Sequence, residues 1–200
     1  MSVMCPRFLQ SPGVSNHFLW TAIQNTKGKG AVIECGTYDG CSSASFNYVL
    51  RHYNTNIRQY ACDTFDGFKE DGKKDELYKT GDLVPTAAQK TIKELERLGI
   101  IVLIGKVEDT LAVNIPSSEK FSFVFLDMDI EAPTKYACDF LKDRILPGGI
   151  IGFHDYGTQR LPGIKRVADQ LLNNDMAWKE VIRSKKRGRD NKYLFLEKLI

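Results

Sequence analysis

The sequence predicts a doubly wound α/β sheet of seven strands, mostly parallel, closed by an antiparallel C-terminal hairpin. Three observations predict it. Short apolar runs alternate with helical patterns along most of the chain, the order of a parallel sheet with crossover helices. The stretch AVIECGTYDGCSSASFNY at 31–48 reads as a buried strand, a glycine turn and a helix N-terminus. Two further runs, at 178–183 and 193–197, flank a basic turn at 185–189 and read as an antiparallel pair.

Composition bounds the function. At 200 residues the chain suits one α/β domain with a large core, and 1–200 is read as a single domain with an N-terminal helical segment at 1–27. A net charge of +3 is too mild to argue for nucleic acid. No apolar run approaches the ~20 residues that cross a bilayer. No basic region followed by an apolar core opens the chain, so a cytoplasmic protein without membrane contact is expected. The five cysteines, Cys5, Cys35, Cys41, Cys62 and Cys138, are scattered and include no C-x-x-C pair. Reduced cysteine is expected, rather than a zinc site or a disulfide frame.

In chain order, VSNHFLWTAI at 14–23 predicts a short helix capped by Ser11 or Ser15. His17 and Trp20 share a face of it. That helix covers the sheet edge or a partner subunit, or closes over a ligand, and it leaves room for a homodimer. The first strand and its turn follow, with a helix running to about His52. RQYACDT at 58–64 is the second strand and ends at Asp63. The charged, glycine-rich stretch at 65–85 is long for a compact domain. It reads as a mobile lid or as a solvated excursion, and Lys69, Lys73 and Lys74 on it read as solvated charge. TAAQKTIKELERL at 86–98 is an amphipathic helix stopped by Gly99. Strands follow at 100–104 and 121–127, then a helix at 134–144. Pro147-Gly148-Gly149 breaks that helix, and a fifth strand at 150–153 ends in His154-Asp155-Tyr156. A last helix is expected at 163–172.

The turn after the first strand is a ligand cradle: it exposes backbone N–H groups, and glycine lets a ligand approach the main chain. Charge selects the ligand. A pyrophosphate fingerprint needs three glycines, whereas here Gly36 and Gly40 stand beside Glu34 and Asp39. Two carboxylates repel a pyrophosphate, so a cationic ligand without phosphate fits better. The alternative is a turn that uses glycine for geometry alone. At this point the sequence resembles the class I S-adenosylmethionine (SAM) methyltransferases, whose first motif is an acid, any residue, glycine and a small-residue turn. On that resemblance the fold is Rossmann-like, and Glu34, Gly36, Thr37, Tyr38, Gly40, Ser42 and Ser43 contact SAM. Asp63, with Thr64 after it, stands where an acid accepts hydrogen bonds from a ribose, although a strand-ending Asp is also a common cap.

The reacting groups belong at the carboxyl ends of the strands. Asp127 and Asp129 are two apart in an expected extended segment, so both can point to one face. Asp155 comes from the neighbouring strand. Converging carboxylates repel unless a proton or a cation intervenes, and a divalent metal with oxygen ligands resolves the repulsion. Here the resemblance narrows: LDMDIEAPT and ILPGGIIGFHDYG, with YACDTFDGF and GKVEDTL in the right order, look like the macrocin O-methyltransferase family. The resemblance implies a SAM-dependent O-methyltransferase acting on a hydroxyl of a small molecule such as a sugar or glycoside. It implies magnesium on Asp127 and Asp155, Asp129 as general base, Asp127 also beside the cofactor, and Val107 and Glu108 against the adenine. One position departs: the family's paired acids are here His154-Asp155. Imidazole suits manganese, iron or zinc better than magnesium. His154 is thus a metal ligand, a base, or a residue that orients Asp155. Tyr156 either lines the acceptor pocket or packs. The competing readings are a nicotinamide-dependent oxidoreductase, opposed by the missing third glycine, and a non-catalytic SAM-binding protein, opposed by the cost of idle clustered carboxylates.

Overall fold

The computed structural model describes residues 13–53, 55–68, 81–174, 176–183 and 193–200. In chain order the elements are α1 (Gly13–Asn25), β1 (Ala31–Cys35), α2 (Cys41–His52), β2 (Gln59–Asp63), α3 (Ala88–Arg97), β3 (Ile101–Ile104) and α4 (Val107–Asn114). Then come β4 (Phe121–Leu126), α5 (Glu131–Leu141), β5 (Ile145–His154), α6 (Pro162–Asn174), β6 (Trp178–Arg183) and β7 (Tyr193–Lys198). The strands form one seven-stranded sheet in the order β3-β2-β1-β4-β5-β7-β6. The first five pair in parallel, and β7 runs antiparallel to both β5 and β6. This is the expected architecture.

The central strands explain it. AVIEC and FSFVFL are buried at every position, as strands covered by helices on both faces must be. Alternation then sorts their side chains. Ile33, Cys35, Val124 and Leu126 share a core with Leu111, Leu141 and Ile164 of α4, α5 and α6. Val32, Phe123 and Phe125 meet Phe18 and Leu19 of α1 and Phe46 of α2. On that second face Phe18 stacks on Phe195 at 4.4 Å. Gly152 of β5 makes the room: a Cβ there would lie 2.5 Å from the Phe195 ring.

Several elements depart from expectation. Pro147-Gly148-Gly149 lies inside β5, which starts at Ile145. Phe121 pairs with Ile145 and Phe123 with Ile150, so the intervening residues bulge from the ladder. Gly148 supplies a φ of 80° there. α5 has already ended at Leu141, and a 3-10 turn at Lys142–Arg144 leads into the strand. No helix was expected after the third strand, yet most of GKVEDTL lies in α4. α1 lies on the middle of the sheet and not at its edge, with Phe18, Leu19, Ala22 and Ile23 buried against Phe123, Phe125 and Ile150. The apolar residues that left room for a dimer are thus in the core, and Trp20 stacks on Tyr53. Ser15 lies within α1 and is buried, so it does not cap the helix.

Cys35, Cys62 and Cys138 are free and buried. Cys41 is disulfide-bonded, against the expectation of reduced cysteine throughout. Among the described residues no helix is long and apolar enough to cross a membrane. Ser11, Cys5, the greater part of the expected lid with Lys69, Lys73 and Lys74, and the basic turn at 185–189 lie outside the described residues.

Candidate active site

The strand order reverses between β1 and β4, and ligands of open α/β sheets bind outside the carboxyl ends of strands at such a point. The two strand ends are tied there. The Asp127 N–H donates to the Cys35 carbonyl at 2.8 Å, and a Cβ on Gly36 would stand 2.0 Å from the Asp127 carbonyl oxygen. Gly36 is therefore demanded by the approach of two main chains, whatever the ligand. Gly40, at φ 79°, faces Thr91 and Leu95 of α3. Backbone strain marks the same edge: Tyr38, Phe65, Asp129 and Asp155 have φ of 49°, 51°, 62° and 53°. They follow β1, β2, β4 and β5. Such conformations cost about 1–3 kcal/mol each and persist where the surroundings over-determine them.

In the cradle, Glu34 is fully buried and accepts hydrogen bonds from the Ser42 and Ser43 hydroxyls of α2. Burial pushes its carboxyl up to about 8; the serines oppose this, and Asp127 and Asp63 add to it. Asp39 closes a local turn ahead of α2 and is not only a charge, since its Oδ1 accepts the Cys41 N–H at 3.1 Å. Asp63 joins two loops: it accepts the Tyr38 N–H at 2.8 Å and the Phe65 N–H at 2.7 Å. A carboxylate has about four acceptor sites, so capacity remains for ribose hydroxyls. Thr37 and Thr64 turn their hydroxyls to the main chain, towards the Cys62 and Gly67 carbonyls. Val107 is buried in the core and Glu108 is exposed in the first turn of α4. Val107 opens α4, where the first main-chain N–H groups have no partner within the helix.

The acid cluster assembles as expected. Asp127, Asp129, His154 and Asp155 each offer a ligand atom, all within 4.8 Å of one another. The route differs from an extended D-x-D: β4 has ended at Leu126, and a left-handed Asp129 turns its carboxyl back. Burial first, then the Asp127 and Asp155 charges, push Asp129 up to about 7. His154 Nδ1 lies 2.7 Å from Asp127 Oδ1 and 2.8 Å from Asp155 Oδ2. Neither oxygen is in line with the ring N–H direction, so this buried nitrogen has no hydrogen-bond partner despite the short distances. The contact is charge against charge. Burial alone would lower His154, but the two carboxylates more than reverse it and hold it at about 11. Burial would likewise raise Asp155, yet His154, the Thr158 hydroxyl at 2.9 Å and Asp129 together hold it below the ordinary carboxylate range.

Two residues here were not anticipated. Thr158 could have been found from its position three after Asp155, a local side-chain pairing. Tyr193, edge-on to the His154 ring at 4.9 Å, could not: it arrives through the register that pairs His154 with Tyr193 across β5 and β7. Tyr156 packs, buried, with its hydroxyl donating to Asp169 at 2.6 Å.

A model of the methyltransferase domain family matches residues 33–156. The chain belongs to that family. The matched span runs from β1 through the cradle and the acid cluster to Tyr156, and it displaces the nicotinamide reading. A curated relative, the 8-demethyl-8-(2,3-dimethoxy-alpha-L-rhamnosyl)-tetracenomycin-C 4'-O-methyltransferase of Streptomyces olivaceus, is 28% identical over 140 residues, 64% of this chain. The chain spans about half of that relative, 53% of its length. The structure of the O-methyltransferase NovP superposes with a TM-score of 0.75 at 16% identity, covering 92% of this chain and 78% of that one. The calicheamicin methyltransferase CalS11 gives 0.74 at 21%, covering 92% and 77%. The O-methyltransferase from Bacillus cereus in complex with SAH gives 0.64 at 17%, covering 96% and 84%. These likenesses show the class I methyltransferase fold.

Proposed function

We propose that the protein transfers the methyl group of SAM to a hydroxyl of a sugar or glycoside, with Asp129 as general base and a divalent cation on Asp127, His154 and Asp155. One observation carries the reading: four ionisable side chains converge at the carboxyl ends of β4 and β5, beside the cradle. The name of the Streptomyces olivaceus relative, a rhamnosyl 4'-O-methyltransferase, supports the sugar acceptor. The buried Nδ1 of His154 supports the cation, because a nitrogen facing two carboxylates without a hydrogen bond is placed as a ligand atom.

The chain's own residues supply the rest. Asp63 lines the cradle with a carboxyl that favours a sulfonium donor over a phosphate, while Glu34, enclosed beneath it, ties Ser42 and Ser43 to the strand end. The cradle holds the methyl group in line with the acceptor oxygen, and that proximity supplies much of the rate. Asp129 takes the hydroxyl proton as the oxygen–methyl bond forms and the sulfur–methyl bond breaks. Its carboxyl stands in the same cluster, within reach of a hydroxyl bound there. When bound, the cation lowers the pKa of the acceptor hydroxyl and fixes its position.

The test is to incubate the purified protein with methyl-labelled SAM, Mg2+ or Mn2+, and a panel of rhamnosides, other glycosides and simple phenols. Gain of one labelled methyl by a glycoside is the expected result. Binding of SAM and SAH in calorimetry, with no transfer to any hydroxyl, would instead leave a SAM-binding protein without this chemistry.

A further inference from the structure

We infer that His154 is a nitrogen ligand which makes the site select a transition ion of the Mn2+ type over Mg2+. This rests on the metal-assisted reading above and adds the identity of the ion and the residue that sets it. The geometry comes first. His154 Nδ1 stands 2.7 Å from Asp127 Oδ1 and 2.8 Å from Asp155 Oδ2. The nitrogen and the two carboxylate oxygens are thus close enough together for one ion to be shared by all three.

The second argument is direction. A proton on Nδ1 would answer the charge of the two carboxylates, but it would not point at either, since the buried nitrogen makes no hydrogen bond. An ion in front of the nitrogen and between the two oxygens meets all three. The ring is held for that task. Phe125 of β4 lies at 6.4 Å and Tyr193 of β7 stands edge-on at 4.9 Å. Such outer contacts fix the orientation of a ligating imidazole.

The third argument is ligand chemistry. Mg2+ prefers oxygen, dehydrates reluctantly and keeps several waters. Imidazole suits Mn2+, Fe2+ and their heavier neighbours, whose affinity for mixed nitrogen and oxygen sites rises along the first transition row. With aspartate at 154 the same cluster would be all oxygen, and the preference should disappear.

The experiment titrates the purified full chain and its His154→Asp variant with Mn2+ and, separately, with Mg2+ in a calorimeter. The wild type should bind Mn2+ at least about tenfold more tightly than Mg2+. The variant should bring the ratio close to one. Equal affinities in the wild type, or an unchanged ratio in a folded variant, overturn the role of His154 and leave metal assistance standing. No binding of either ion overturns both. Should the variant fail to fold, pulsed electron paramagnetic resonance of wild type loaded with Mn2+ decides. Nitrogen-14 modulation from a directly bound imidazole supports the inference, and its absence refutes it.

Discussion

Asp129 and Glu34 are both acids whose carboxyls burial has lifted, and their surroundings give them different work. Asp129 sits among Asp127, His154 and Asp155 on a left-handed backbone, where a proton can arrive from a substrate. Asp129→Asn keeps the shape and removes the basic oxygen, so kcat should fall at least about 100-fold. SAM affinity by calorimetry should stay within about twofold; undiminished turnover would strip Asp129 of its role. Glu34 is enclosed, with its oxygens occupied by Ser42 and Ser43. Its folded pKa of about 8 lies above the ordinary 4.5. The stability it contributes is therefore complete below about 4.5 and is lost as pH rises through about 8. Urea midpoints of the ligand-free protein should fall between pH 5 and pH 8, by an amount on the order of a few kcal/mol. Glu34→Gln should flatten that slope; a slope that persists in full would assign it to other groups.

The cradle was legible as an element because its three signals, an apolar run, glycines and small residues, are all local. Its reason was less so. Gly36 is required by the Asp127 carbonyl, a contact between residues far apart in sequence. Gly36→Ala forces a Cβ into that oxygen at φ 91°. It should cost about 2–4 kcal/mol in urea unfolding, with loss of SAM binding as β1 and β4 separate. A cost below 1 kcal/mol would mean the two ends can part freely. Pro147-Gly148-Gly149 shows the opposite error. Proline and two glycines are strong punctuation, but here they shape a bulge within β5, because Phe123 recovers pairing at Ile150. α4 was missed because VEDTLAVN is short and buries only Val107, Thr110 and Leu111, too few positions to show a helical period.

At the scale of the molecule, alternation of strands and helices was enough to predict the doubly wound sheet. The pairing of its far ends was not. α1 and β7 come from opposite ends of the chain, yet Phe18 and Phe195 stack on the same face. Phe195 also meets Phe123 and Phe125. Phe195→Ala should cost about 3–5 kcal/mol. SAM affinity at low temperature should be little changed, since the cradle lies on other strands; a cost under 1 kcal/mol would show that the N-terminal helix holds without that ring. The same strand brings Tyr193 to His154, so the hairpin joins packing to the reacting groups.

The left-handed backbone at Asp129 and Asp155 has a further consequence. Aspartate tolerates that conformation better than most residues but less well than glycine. Asp129→Gly should relieve the twist and thin the crowd of like charges, raising the melting temperature by an amount equivalent to about 1 kcal/mol. The resulting protein would be sturdier and inert.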